Sequence, residues 1–242
     1  MNKGTLNKLL SSFGYGIIKV KPGRDIQNIP DRELYTPRFS PWLGGGNFRQ
    51  LYELAQLHTL VSRECCYILY TMAQQSLNLN GELWECGVYK GGTAMLLAEI
   101  ISQNGNKRSL HLFDTFEGMP ETDDIKDLHS QGDFSDTSFN KVKALVGREE
   151  FVSIHKGFIP QTFSDFEDSA ISFAHIDVDI FSAVRDCCEF IYPRILAGGI
   201  MIFDDYGIPS CPGARQAIDE YFADKPEEPL ILTTGQALVF KL

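Results

Sequence analysis

The chain has 242 residues, 43% of them hydrophobic, and a formal net charge of −10 at pH 7. Length and apolar content suit one α/β domain with a sizeable core. The acidic balance argues against nucleic acid as the main partner.

Six cysteines are present: Cys65, Cys66, Cys86, Cys187, Cys188 and Cys211. Two adjacent pairs and no C-x-x-C spacing suit neither a disulfide framework nor a zinc site, so they read as small buried hydrophobes in a reducing compartment. No run approaches the roughly 18 apolar residues of a membrane span. The first ten residues lack the apolar core of a signal peptide. The expectation is a soluble, cytoplasmic protein with no membrane partner.

Residues 1–50 read as an irregular arm with Pro22, Pro30, Pro37, Pro41 and Gly44-Gly45-Gly46. Phe13, Tyr15, Tyr35, Phe39, Trp42 and Phe48 recur through it, and so many aromatics imply packing on something. The arm would cover the active site or dock on a second subunit, which favours a homodimer or larger assembly. Residues 51–242 read as the main domain. Leu54, Leu57, Leu60, Val61, Cys65, Ile68, Leu69 and Met72 make a helical stripe, predicting one helix over 51–77.

Strand and helix patterns then alternate. Strands are expected at 83–88, 109–116, 151–156 and 171–179, and another runs into Asp204 and Asp205. Helices are expected at 93–103, 138–146, 181–196 and 214–223, with Pro193 bending or ending the third. Two last strands, 230–234 and 237–241, meet tightly at Gly235-Gln236. Repeated strand–helix units imply a mostly parallel Rossmann-like sheet with helices on both faces and an antiparallel last strand. The polar stretch 117–137 is long for a connection and reads as a functional lid or a disordered segment.

Two apolar runs end in paired carboxylates: Ile171 to Asp177-Val178-Asp179, and Gly199 to Asp204-Asp205. In open α/β sheets the ligand crevice lies beyond the C-terminal strand ends. Four carboxylates there repel one another unless a cation or shared protons hold them. Alternation along a strand would aim Asp177 and Asp179 to the same side. His175, two residues earlier, reads as a supporting histidine rather than a ligand.

Trp84-Glu85-Cys86-Gly87-Val88-Tyr89-Lys90-Gly91-Gly92-Thr93 joins the first strand to its helix. Glycines there allow a close backbone approach to a ligand. The spacing is neither G-x-G-x-x-G nor a P-loop, because Thr93 stands where the phosphate-gripping lysine belongs. An acid before the loop fits a ligand with both a cation and a carboxylate, such as the methionine part of S-adenosylmethionine. Asp114, ending the second strand, suits ribose hydroxyls or a turn cap. Arg63 suits the methionine carboxylate or a surface ion pair. His129, Asp133 and Ser135 of the lid are candidate cofactor or substrate contacts.

These motifs, with Phe113-Asp-Thr-Phe-Glu-Gly-Met-Pro120, Gly132-Asp-Phe-Ser-Asp-Thr-Ser138, His175-Ile-Asp-Val-Asp179, Phe203-Asp-Asp-Tyr-Gly207 and Pro212-Gly-Ala-Arg215, resemble the macrocin O-methyltransferase family. The resemblance covers about residues 51–242. It implies a class I methyltransferase fold, S-adenosylmethionine, magnesium and a sugar, glycoside or other small hydroxylated acceptor. Glu85, Gly87, Gly91, Thr93, Asp114, Thr115 and Asp177 would then serve the cofactor, with Gly157 near the adenine. Asp177, Asp204 and Asp205 match the metal ligands. Asp179 matches the general base of some members; others use a histidine slightly further on, where this chain has Ile180, Phe181 and Ser182. Two other readings stand at this point. Asp177-Val178-Asp179 is also the D-x-D motif of nucleotide-sugar glycosyltransferases, and a methyltransferase-like subunit can bind without catalysing.

Overall fold

The structure, a computed structural model, describes residues 39–105 and 108–242. Phe13, Tyr15, Tyr35 and most of the expected arm lie outside the described residues. The expected boundary at residue 50 falls inside the first described helix, α1 (Asn47–Ala55). Phe48 and Leu51 of that helix are buried in the main core.

The predicted helix over 51–77 is broken in two. After α1 the chain runs without helix to α2 (Arg63–Ser76). Ser62 caps α2, its hydroxyl accepting from Cys65 N at 3.3 Å. The His58 carbonyl in the break accepts the amide of Gly92 at 3.0 Å. His58 and Thr59 therefore sit in the connection, not on a helix. Leu54, Leu57 and Leu60 of the supposed stripe are exposed.

The remaining elements alternate as expected: β1 (Glu82–Cys86), α3 (Gly92–Asn104), β2 (Leu110–Asp114), α4 (Phe139–Val146), β3 (Val152–Lys156), β4 (Ile171–Ile176), α5 (Phe181–Ile191), β5 (Ile195–Phe203), α6 (Pro212–Phe222), β6 (Leu230–Ile231) and β7 (Ala237–Phe240). The third predicted helix stops at Ile191, and Pro193 lies in a short 3-10 turn leading into β5. The sheet has seven strands in the order β3-β2-β1-β4-β5-β7-β6. β1 to β5 are parallel, and β7 runs antiparallel to β5.

Alternation along the strands builds two apolar layers. Leu83, Leu112, Phe173 and Ile202 pack against α1 to α4. Trp84, Phe113, Ala174 and Phe203 pack against α5 and α6 on the other face. The order reverses between β1 and β4, opening the crevice at their C-terminal ends. Register aligns Cys86, Ile176 and Phe203 on neighbouring strands. The next rung is continued by Asp177 N to Cys86 O at 2.9 Å and Asp204 N to Ile176 O at 3.0 Å. Sheet register thus delivers Gly87, Asp177 and Asp204 to one level.

β3, whose end leads to Gly157, is held by an aromatic cluster. The His111 and His155 rings stack and approach to 3.1 Å between ring nitrogens, and Trp84, Phe113 and Phe166 surround them. Burial, and then the charge of His111, push His155 down to about 4. Its unfolded value is near 6.5, so the fold favours the neutral ring. That contribution is present above about pH 6.5 and is lost as pH falls through about 4. Denaturant midpoints measured from pH 7 to 4 should therefore fall more steeply for the native chain than for His155→Phe. Parallel curves would refute this.

Candidate active site

Asp177, Asp204 and Asp205 each bring a carboxylate oxygen within 4.8 Å of the other two. β4 ends at Ile176, so Asp177 and Asp179 lie in the turn that follows. Asp179 has φ 59°, in the left-handed region. The same-side argument from strand alternation therefore does not apply to this pair. The turn separates them instead. Asp177 joins Asp204 and Asp205, while Asp179 faces His129 and Cys211.

The two groups remain joined, because Asp205 Oδ2 accepts the Asp179 amide at 3.0 Å. Burial, and then repulsion from Asp205 and Asp204, push the Asp177 carboxyl well above its usual range. Burial and the charges of Asp179 and Asp204 do the same to Asp205. These carboxylates resist ionising together without a counter-charge. An all-oxygen donor set of this kind fits a hard divalent cation.

Asp204 is held from two sides. Gln236 Nε2 donates to its Oδ1 at 2.7 Å and also to Cys65 O at 3.4 Å. His175 Nε2 lies 3.5 Å from the same Oδ1, close enough to pair electrostatically but outside hydrogen-bond geometry. His175 Nδ1 is 2.9 Å from Glu85 Oε1, and both side chains are fully buried. Burial alone would lower the His175 pKa, but the Asp204 and Glu85 carboxylates hold it well above the ordinary value. His175 thus stands beneath the aspartates between Glu85 and Asp204, outside the group of three carboxylates.

Glu85 keeps Oε2 buried without a partner. A lone carboxylate oxygen at that depth fits a cationic donor, as the ammonium of a methionine moiety would be. Gly87 shows how tightly the loop meets β4. It has φ 87°, and a Cβ there would lie 1.8 Å from the Asp177 carbonyl oxygen. Asp114 braces the same loop: Oδ2 accepts Val88 N at 2.8 Å and Tyr89 N at 2.9 Å, and Oδ1 accepts Phe116 N at 2.6 Å. It works as a turn cap, with one further acceptor position left, on Oδ1. Gly157 adjoins it, donating its amide to Asp114 O at 3.0 Å.

Glu85, Gly87, Asp114, Gly157 and Asp177 therefore gather around the ends of β1 to β4, while Gly91 closes the same loop as the cap of α3 and faces α4. Other candidates go elsewhere. Thr93 is buried in the first turn of α3. Thr115 Oγ1 donates to Gly118 O at 2.7 Å and accepts Glu117 N at 3.1 Å, closing its own turn. Arg63 stacks on Tyr52, 4.8 Å from the ring centroid. Ser135 is exposed on the 117–137 loop. Sequence reasoning missed Gln236 and Cys211. Gln236 stands beside the turn glycine Gly235, and Cys211 directly precedes the Pro212-Gly213-Ala214-Arg215 motif. Those neighbours were the available signals.

Among the described residues, no helix is long and apolar enough to cross a membrane. The cation fit has a direct test. Millimolar Mg2+ should raise the melting temperature of EDTA-stripped protein, with about 2.7 kcal/mol of stabilisation at a hundredfold excess over Kd. Asp205→Asn should remove most of that rise. No response to Mg2+, Mn2+ or Ca2+ would exclude a cation at these aspartates.

The family described as Macrocin-O-methyltransferase (TylF) matches residues 58–241. The 8-demethyl-8-(2,3-dimethoxy-alpha-L-rhamnosyl)-tetracenomycin-C 4'-O-methyltransferase of Streptomyces olivaceus is 29% identical over 153 residues, 58% of this chain and 58% of that protein. Demethyldecarbamoylnovobiocin O-methyltransferase of Streptomyces niveus is 27% identical over 221 residues, 86% of this chain and 84% of the relative. The solved structure of the O-methyltransferase NovP superposes with a TM-score of 0.70 at 23% identity, over 76% of this chain and 82% of that one. That likeness establishes the class I methyltransferase fold. The family match and the curated relatives give no support to the D-x-D glycosyltransferase reading. The family match spans well over half of the chain: the chain belongs to the macrocin O-methyltransferase family, and its reaction class is O-methyl transfer.

Proposed function

We propose that this protein moves the sulfonium methyl of S-adenosylmethionine to a hydroxyl of a sugar or glycoside. In this reading Asp179 is the general base, and Asp177, Asp204 and Asp205 hold a divalent cation, magnesium by the hardness of the donors. The observation that carries it is the placing of one carboxylate, Asp179, directly beside a separate group of three at the switch point of the sheet. The rhamnosyl group in the name of the Streptomyces olivaceus relative supports a sugar acceptor.

A bound cation would supply positive charge that makes a nearby hydroxyl more acidic. The residues of the chain supply the rest. Glu85 and the Gly87–Gly91 loop hold the methionine part of the methyl donor. Asp114 and Gly157 lie on the nucleoside side. Asp179 takes the acceptor hydroxyl proton as the oxygen forms its bond to the methyl carbon. The carbon–sulfur bond breaks, and S-adenosylhomocysteine leaves with the sulfur electron pair. Positioning and electrostatics provide most of the rate. Acceptor choice falls to the 117–137 loop. A cytoplasmic location and a dimeric state belong to the same reading.

Asp179→Asn should lower turnover roughly 100- to 10,000-fold while S-adenosylhomocysteine still raises the melting temperature. Mass spectrometry of products from p-nitrophenyl glycosides and catechols would find the acceptor class. Native turnover in Asp179→Asn would remove Asp179 as the base, and turnover indifferent to EDTA would remove the cation. Stabilisation by UDP rather than S-adenosylhomocysteine would overturn the whole reading.

A further inference from the structure

Beside the three-aspartate group lies a second set of donors with different chemistry. His129, Asp179 and Cys211 each bring a ligating atom within 4.8 Å of the other two. They come from three parts of the chain: the 117–137 loop, the turn after β4 and the residue before α6. Loop docking gathers them. Asp127 is buried, and its Oδ1 accepts the Phe181 amide at 2.9 Å, capping α5. Gly213 of α6 makes the room, since a Cβ there would lie 2.1 Å from Asp127 Oδ1. His129 follows Asp127 by two residues, Asp179 precedes Phe181 by two, and Cys211 precedes Gly213 by two. Docking of one carboxylate therefore draws all three donors together.

The spacing suits a tetrahedral ion. Cys211 Sγ is 3.4 Å from Asp179 Oδ1 and 3.6 Å from His129 Nε2, and Nε2 is 3.8 Å from Oδ1. Zinc bonds of about 2.3 Å to sulfur and about 2.0–2.1 Å to nitrogen or oxygen set tetrahedral donor–donor edges of roughly 3.3–3.6 Å. Two edges already fit, and the third is only slightly wider. The ring of His129 is turned for the purpose. Its Nδ1 lies 3.2 Å from Asp133 Oδ2, which also accepts Ser130 N at 3.0 Å. Those donors, the Ser130 amide first, hold Asp133 below the usual carboxylate range. An ionised carboxylate only accepts, so the ring proton belongs on Nδ1 and Nε2 keeps its lone pair. A carboxylate behind the imidazole is the usual support of a metal-bound histidine. A neutral imidazole, a carboxylate and a thiolate together carry two negative charges, which a divalent ion balances.

We propose that His129, Asp179 and Cys211 form a second metal site that takes Zn2+, separate from the hard-cation group. Sulfur and imidazole select a softer ion than the all-oxygen set of Asp177, Asp204 and Asp205 does, so the two neighbouring sites sort metals by donor type. Three protein donors leave the fourth position open to water. The His129 and Asp179 side chains are 16% and 19% exposed, so solvent reaches it. Coordination replaces the Cys211 thiol proton, which leaves to solvent. Zinc there ties the 117–137 loop to the turn after β4 and to the start of α6, and it occupies Asp179 Oδ1. One consequence rests on the reading of Asp179 as the base: zinc stops turnover while Mg2+ still fills the other site.

EDTA-stripped full-length protein in millimolar Mg2+ and a phosphine reductant, titrated with Co2+ as a spectroscopic stand-in for zinc, tests this. One equivalent should give intense tetrahedral bands and a near-ultraviolet sulfur-to-cobalt absorption, both removed by Zn2+. Cys211→Ser should abolish the sulfur absorption while Mg2+ still raises the melting temperature, which shows that the variant folds. Asp133→Asn should weaken Co2+ binding about 10- to 100-fold, the usual cost of losing the carboxylate behind a ligating histidine. Asp205→Asn should keep the sulfur absorption while losing the Mg2+ response. No sulfur absorption in the native protein overturns the inference, and so does absorption that survives in Cys211→Ser. Where Cys211→Ser does not fold, His129→Gln decides, and unchanged Co2+ affinity there overturns the site. Sulfur absorption together with full turnover in the zinc-loaded protein removes Asp179 as the base and leaves the metal site standing.

Discussion

The crowding of buried carboxylates at one rung of the sheet is the constraint on which the rest depends. Asp177, Asp204 and Asp205 follow directly on β4 and β5, whose register brings them to one end of the sheet, and their carboxylate oxygens lie within 4.8 Å of one another. Part of the repulsion is met from below, where His175 stands between Asp204 and Glu85. Gln236 fixes the Asp204 carboxylate from the side. A single histidine cannot balance all of these acids, and the remaining charge suits a divalent cation.

The same crowding explains the turn after β4. Continuing the strand would have left Asp179 among the other carboxylates. The left-handed conformation at Asp179 turns its side chain to His129 and Cys211, while its amide still serves Asp205. Aspartate tolerates that conformation better than most residues. One short turn therefore divides the acids into a group of three suited to holding a cation and one carboxylate set apart from it.

Much of the fold is readable locally. Apolar runs bounded by glycine and acids mark β1, β2, β4 and β5, and their order predicts a parallel sheet with a crevice at the acid ends. The failures have physical causes. The break between α1 and α2 is invisible in the apolar stripe, because it is decided by a carbonyl at His58 that serves the amide of Gly92. Sequence position alone does not reveal that Asp114 also accepts three backbone amides of the neighbouring loop, or that Arg63 stacks on Tyr52.

By itself the sequence determined the strands, the acids that end them and the glycines that let the loop close on β4. Those features depend on residue type and short-range periodicity, which are written along the chain. Tertiary structure alone decided which polar groups meet. Glu85 and His175 are 90 positions apart, Cys65 and Gln236 are 171 apart, and His129 reaches Asp179 only because Asp127 caps a helix 54 residues away. Such meetings are set by strand order, register and loop docking, and no local pattern encodes them.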